Sequence, residues 1–231
     1  MSEDRSVFEL TALPSSEVIS YGGHADQVIE VFRSHKINST KVLLIHGGYW
    51  RPQFDRSHLR PYAVKLSEMG FDAYLLEYRR TPGEAHNYLH DLFVALDQVG
   101  ECSLIGHSAG GQLALVAAAH PAVKKIVALA PVSDLIAGDN RNLDDGAIRE
   151  FLGGDPSRYL HLDPASITEY LVPVTVVHGE LDSRVPVELS REFVAKYPSI
   201  EYLEIAGIGH FELIDPRFDS VLASVIEQIE A

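Results

Sequence analysis

Apolar residues in this chain gather into short runs, and between the runs lie longer stretches whose apolar positions recur every three or four residues. The runs predict strands at Lys41 to Ile45, Ala73 to Tyr78, Ser103 to Gly106, Lys125 to Ala130, Val174 to His178 and Glu201 to Ile205. Two more, Glu17 to Tyr21 and Gln27 to Phe32, read as a leading antiparallel pair joined across Gly22-Gly23. The periodic stretches predict helices near Leu59 to Met69, Ala85 to Val99, Gln112 to His120, Pro186 to Tyr197 and Pro216 to Glu230. Strand and helix thus alternate, which is the order of an α/β fold: a mostly parallel, doubly wound sheet of about eight strands with helices on both faces. Residues 1–231 are read as a single domain. One segment, 134–171, breaks the rhythm, because it is too long for a simple connection and is dense in Asp, Asn and Gly. Short helices are expected inside it at Ala147 to Leu152 and Asp163 to Tyr170.

One strand-to-helix junction carries a specific chemistry. The run Ser103 to Ile105 opens into Gly106-His107-Ser108-Ala109-Gly110 and then directly into the buried helix pattern Gln112 to His120. A bare Gly-x-Ser-x-Gly is weak evidence in a chain with 17 glycines. A preceding apolar strand and a following helix make it a nucleophile elbow. The turn is so tight that the residues two before and two after the serine must be small, and Gly106 and Gly110 meet that demand. Ser108 is the candidate nucleophile, with the positive end of a helix aimed at the same place.

A serine hydroxyl is a poor nucleophile at neutral pH, so a base, an orienting acid and an oxyanion hole must lie elsewhere. His210 sits in a glycine-loosened loop after the strand Glu201 to Ile205 and is the candidate base. Asp182 follows the strand ending at His178, and Asp134 follows the strand ending at Ala130, so both are candidate acids. Upstream, His46-Gly47-Gly48-Tyr49-Trp50 resembles the His-Gly-Gly loop of esterases and lipases. Backbone N–H groups of Gly48, Tyr49 and Ala109 are the expected oxyanion donors. The other histidines read differently. His46, His107 and His178 stand beside glycines at strand ends and are expected to brace loops. His86 and His90 have an i, i+4 spacing but no third ligand, so no metal site is expected.

Charge and cysteine content narrow the partners. Nineteen basic against 33 acidic residues give a formal charge of −14, which repels nucleic acid and anionic lipid. No apolar stretch approaches the ~20 residues of a membrane span, and the first residues lack a signal-peptide pattern. A lone cysteine, Cys102, fits a reducing compartment. The expectation is a soluble cytoplasmic protein acting on a small molecule without nucleic acid, membrane or cofactor, with a homodimer left open.

Over nearly its whole length the chain resembles the α/β-hydrolases, in which the triad runs Ser, acid, His. Within that fold His46-Gly47-Gly48-Tyr49-Trp50, together with the leading stretch Tyr21 to Phe32, resembles the kynurenine formamidase (arylformamidase) and carboxylesterase branch. The resemblance favours Asp182 over Asp134, because the family places its acid one strand before the histidine. It also implies that 134–171, lying between the sixth and seventh expected strands, is a small cap or lid. The implied activity is a serine hydrolase cleaving a small aryl formamide or ester, with Trp50 and Phe211 lining the substrate side and Tyr88 read mainly as core. A general short-chain carboxylesterase or lipase is the alternative. A non-catalytic ligand-binding protein is disfavoured, because none of the expected site residues is missing.

Overall fold

In the computed structural model, which describes residues 4–230, the apolar runs form an eight-stranded sheet. The strands are β1 (Glu17–Ser20), β2 (Val28–Phe32), β3 (Lys41–Ile45), β4 (Asp72–Leu76), β5 (Cys102–His107), β6 (Val123–Leu129), β7 (Val174–Gly179) and β8 (Glu201–Ile205). Their spatial order is β1-β2-β4-β3-β5-β6-β7-β8. β2 pairs antiparallel with both β1 and β4, and every other pairing is parallel. The expected boundaries and observed boundaries agree to within two residues at each strand end.

Helices α1 (Arg60–Met69), α2 (Ala85–Val99), α3 (Ala109–Val116), α6 (Val187–Lys196) and α7 (Asp219–Glu230) cover the sheet. Alternation along the strands decides which residue meets which layer. In β3, Leu43 and Ile45 pack on the face of α2, α3 and α6, with Leu92, Leu96, Leu113 and Phe193. Val42 and Leu44 pack on the opposite face with Tyr62 and Leu66 of α1 and Val225 and Ile229 of α7. The inner strands β5 and β7 are buried along their whole length, whereas the edge strands β1 and β8 are only half-buried or exposed. Cys102 is packed in the core, and burial pushes its thiol up to about 12, so it stays protonated.

Segment 134–171 holds α4 (Leu135–Asn140), α5 (Ala147–Leu152) and four single 3-10 turns. α5 matches expectation. The helix expected over Asp163 to Tyr170 does not form: only Pro164–Ser166 turns, and Ile167 is extended. The cause is local. Asp163 accepts from the Ala165 N–H and the Ser166 hydroxyl, so short polar side chains satisfy the turn before a second one can propagate. Asp134 is likewise used as a helix cap, accepting from the Ala137 N–H at 2.7 Å. Among the elements outside the expectations are α4 itself and a 3-10 turn at Ser6–Glu9. Among the described residues no helix is long and apolar enough to cross a membrane.

Candidate active site

Ser108 stands between the end of β5 and the start of α3 with φ 57° and ψ −119°, a conformation that costs a non-glycine residue on the order of 1–3 kcal/mol. The turn is held because nothing around it can move. A Cβ at Gly106 would lie 2.3 Å from the Gly110 carbonyl oxygen, and one at Gly110 would lie 2.2 Å from that of Ile45. The Ser108 N–H donates to Leu129 O at 2.8 Å, and its carbonyl accepts from Gly111 and Gln112. Ala109 is the first residue of α3, so its N–H has no acceptor within the helix.

The loop after β3 lies against this turn. Gly48, Tyr49 and Trp50 have φ of 106°, 50° and 58°, three successive left-handed residues of which only the glycine is at ease there. Side chains hold the other two. The Tyr49 hydroxyl donates to Arg184 O at 2.7 Å, and the Trp50 indole donates to Gln112 Oε1 at 3.1 Å while its ring stacks on Phe151 at 4.4 Å. Tyr88, fully buried, donates its hydroxyl to Trp50 O at 3.0 Å. Beneath the loop, His46 Nε2 lies 3.0 Å from Glu77 Oε1, and the same carboxylate accepts from Arg80 and Arg56. The loop is therefore tied to the end of β4 by a buried charged cluster.

The candidate acid and base come from the loops after β7 and β8. His210 Nδ1 lies 2.6 Å from Asp182 Oδ2, and both side chains are almost completely buried. The other Asp182 oxygen accepts from the N–H groups of Arg184 and Val185 at 2.7 and 2.8 Å. His178 adds a contact: its Nε2 is 3.2 Å from Asp182 Oδ2 and 2.9 Å from Val185 O, and its Nδ1 is 2.7 Å from the Ser190 hydroxyl. Both partners of Nε2 are acceptors, so that nitrogen carries a proton and donates to them. Burial alone would raise the Asp182 carboxyl, but the charge of His210 and the hydrogen bonds from both histidines outweigh it and hold it well below the usual carboxylate range. His107 joins the two halves. Its Nε2 lies 3.1 Å from His210 O, and burial together with the nearby His210 keeps its ring neutral.

A cavity of about 200 Å³ opens over these groups, lined by Ser108, His210, His107, Gly48, Tyr49 and Phe211 from the expected set and its neighbours. Trp50 does not line it. The ring is 1% exposed and braces the loop from behind, so the substrate-facing role expected for it is corrected to a structural one. Asp134 caps α4, while Asp182 is the carboxylate that faces His210. Sequence reasoning did not place Arg5, Phe8, Arg51, Phe54, His58, Asp144 or Arg184 in the wall, although all line it. Arg51 and Asp144 form an ion pair within the wall, which brings segment 134–171 to the cavity. His86 and His90 are exposed, and among the described residues no group of His, Cys, Asp and Glu could hold a metal ion.

Sheet order, elbow and the position of the acid and base loops define an α/β hydrolase. The chain belongs to the alpha/beta hydrolase family, whose model matches residues 42–168, more than half of the chain. That stretch contains Ser108 and the 46–50 loop but stops before Asp182 and His210. The chain is similar to the kynurenine formamidase of Meyerozyma guilliermondii, 31% identical over 111 residues, which is 45% of this chain and 42% of that protein. A second kynurenine formamidase, from Debaryomyces hansenii, is 30% identical over 115 residues, covering 42% of this chain and 38% of that one. The matched stretch thus spans less than half the length of these curated relatives. Among solved structures, esterase B of Lactobacillus rhamnosis shares the fold with a TM-score of 0.80 at 18% identity, over 98% of this chain and 89% of the other.

Proposed function

We propose that the protein is a serine hydrolase of small soluble substrates, acting through an acyl-enzyme on an aryl formamide. The observation that carries this reading is the convergence of Ser108 and His210 on one cavity, with Asp182 2.6 Å behind the imidazole. In the proposed reaction His210 Nε2 takes the Ser108 proton as Oγ attacks the carbonyl carbon. The carbonyl electron pair moves to oxygen, where the N–H groups of Ala109, Gly48 and Tyr49 receive it, an effect worth roughly 3–4 kcal/mol per donor. The tetrahedral species collapses, the imidazolium protonates the departing nitrogen or oxygen, and the amine or alcohol leaves. Water, deprotonated by the same imidazole, then frees the serine and releases the acid.

Size supports a small substrate. A cavity of about 150 Å³ suffices to hold benzene, so the observed volume of about 200 Å³ has room for one aromatic ring and a very small acyl group. The kynurenine formamidase relatives favour a formyl group. The esterase neighbours favour a second reading, a short-chain carboxylesterase, which the same residues would serve without change. Initial rates on N-formyl-L-kynurenine and on p-nitrophenyl esters of increasing chain length separate the two. The expected result is formamide turnover with kcat/KM at or above that of the best ester, and a fall of at least about 10⁴-fold in Ser108→Ala. Turnover of esters only would assign the carboxylesterase role; undiminished turnover by Ser108→Ala would remove the mechanism altogether.

A further inference from the structure

The 3-10 turn at Ser6–Glu9 brings Phe8, with Arg5 just before it, to the cavity wall, far in sequence from every other part of that wall. Val7 anchors it, buried among residues of α1 and α7. The Arg217 guanidinium donates to the Ser6 hydroxyl at 2.6 Å, and the Ser6 N–H donates to Asp4 Oδ1 at 2.8 Å. With Val7 pointing inward, Phe8 is turned onto the site. Its ring meets Phe211 edge to face at 4.8 Å between centroids and approaches His58 at 5.7 Å. Phe211 in turn stands edge to face with His210 at 5.1 Å, directly after it in the chain. The Arg5 guanidinium carbon lies 5.4 Å from the Phe8 ring centroid and 5.5 Å from that of Phe211, closing over the pair.

We propose that Phe8 is a specificity-determining residue, whose ring and that of Phe211 form a slot for the flat aromatic part of the substrate. This deepens the proposed hydrolase reading and rests on it for the identity of the reaction. The ring is 39% exposed, unlike the buried core aromatics, and the surface it leaves open borders the cavity that holds Ser108 and His210. Aromatic rings prefer edge-to-face or offset partners, and a planar group entering beside Phe8 and Phe211 satisfies that preference on two sides. A puckered ring of the same carbon count is thicker and meets neither face well.

Phenyl acetate and cyclohexyl acetate make the test, because comparing the ratio of their kcat/KM values between variants cancels their different intrinsic reactivity. Phe8→Ala and Phe8→Leu are each expected to lower the phenyl to cyclohexyl ratio about fivefold, and Phe8→Tyr to keep it within twofold of wild type. Melting temperatures check that each variant is folded. Binding of phenol and of cyclohexanol to Ser108→Ala, followed by NMR titration, reads the slot without the chemistry. Tighter phenol binding that is lost on adding Phe8→Ala supports the slot even if the esters are not hydrolysed, in which case the hydrolase reading alone falls. Equal ratios in all variants, with phenol binding indifferent to Phe8, overturn the slot while leaving hydrolysis by Ser108 untouched.

Discussion

The elbow and the acid–base arm of the site are held by different forces. Around Ser108 the constraint is backbone against backbone: strand end, glycines and the 46–50 loop meet at distances that leave no room for one more carbon. Around Asp182 the constraint is a set of directional hydrogen bonds, four of them to a single carboxylate, from His210, His178, Arg184 and Val185. The arm has one tight backbone position of its own, Gly179, where a Cβ would meet Ile208 O at 2.4 Å. A packed turn fails by steric strain and takes the fold with it, whereas a hydrogen-bonded carboxylate can be exchanged for an isostere that keeps the shape and loses the charge.

Asp182→Asn breaks the arm alone and is expected to have the largest effect on rate. The amide can still accept from the Arg184 and Val185 N–H groups, so the loop keeps its support. It no longer carries the charge that stabilises the His210 imidazolium or imposes the proton on Nδ1. A fall in kcat of about 10³- to 10⁴-fold, on the order of 4–5 kcal/mol in the barrier, is expected with little loss of stability. Steady-state kinetics alongside thermal unfolding decides it. A large fall in melting temperature with modest rate loss would show that the arm, too, is primarily structural.

Gly110→Ala attacks the elbow in the complementary way. The new methyl would lie 2.2 Å from Ile45 O and 2.6 Å from His46 O, both backbone atoms of the neighbouring strand and loop. Neither can retreat without disturbing the centre of the sheet, so a destabilisation of about 3 kcal/mol or more is expected. Gly154→Ala is the internal control, because nothing lies within 4 Å of the place its methyl would take, and it should stay within about 0.5 kcal/mol of wild type. Urea unfolding of the two variants measures the contrast. Similar stabilities would mean that the elbow relaxes and that the glycines are not demanded by packing.

The same contrast explains what could be read from residues alone. The elbow is local in sequence, so an apolar strand, two glycines and a helix pattern suffice to find it. The meeting of Asp182 with His210 was legible because parallel strands deliver their following loops to one edge of the sheet, whatever the sequence distance. The walls were not legible. Periodicity does not connect residues 5–8 with residue 211, and the inward turn of Trp50 follows from three left-handed residues that a side-chain pattern does not encode. Phe211 was placed beside the cavity only because it adjoins His210. The missing helix at Asp163 to Tyr170 shows the reverse error, in which a short helix was expected inside the long insertion and Asp163 capped a single turn instead.

Acid pH offers the smallest and most selective way to separate the regions, because His107 sits at the seam. It is the residue before Ser108, its ring is 4.5 Å from that of His210, and the charged or titratable groups facing it are His210, His58 and Asp182. Burial, with the adjacent His210, holds His107 well below the usual histidine range, and burial with His46 nearby lowers His58 to about 3. Both are therefore neutral in the folded protein and protonate near pH 6.5 when unfolded. Between those values the unfolded chain binds more protons, so stability is complete above about pH 6.5 and falls as the pH drops, by up to about 1.4 kcal/mol per pH unit for each histidine. Asp182 is depressed too, but a carboxylate of that kind loses its contribution only below about pH 4. The interval from pH 6.5 to 5.5, above the range in which the depressed glutamates Glu17, Glu30 and Glu204 begin to lose theirs, thus isolates the imidazoles. Urea unfolding at half-unit steps through that interval should give a positive slope of stability against pH, and His58→Phe should reduce it by the share of one histidine. An unchanged slope in that variant would mean that His58 takes up a proton in the folded state and that the wall beside the elbow is wetter than its burial indicates.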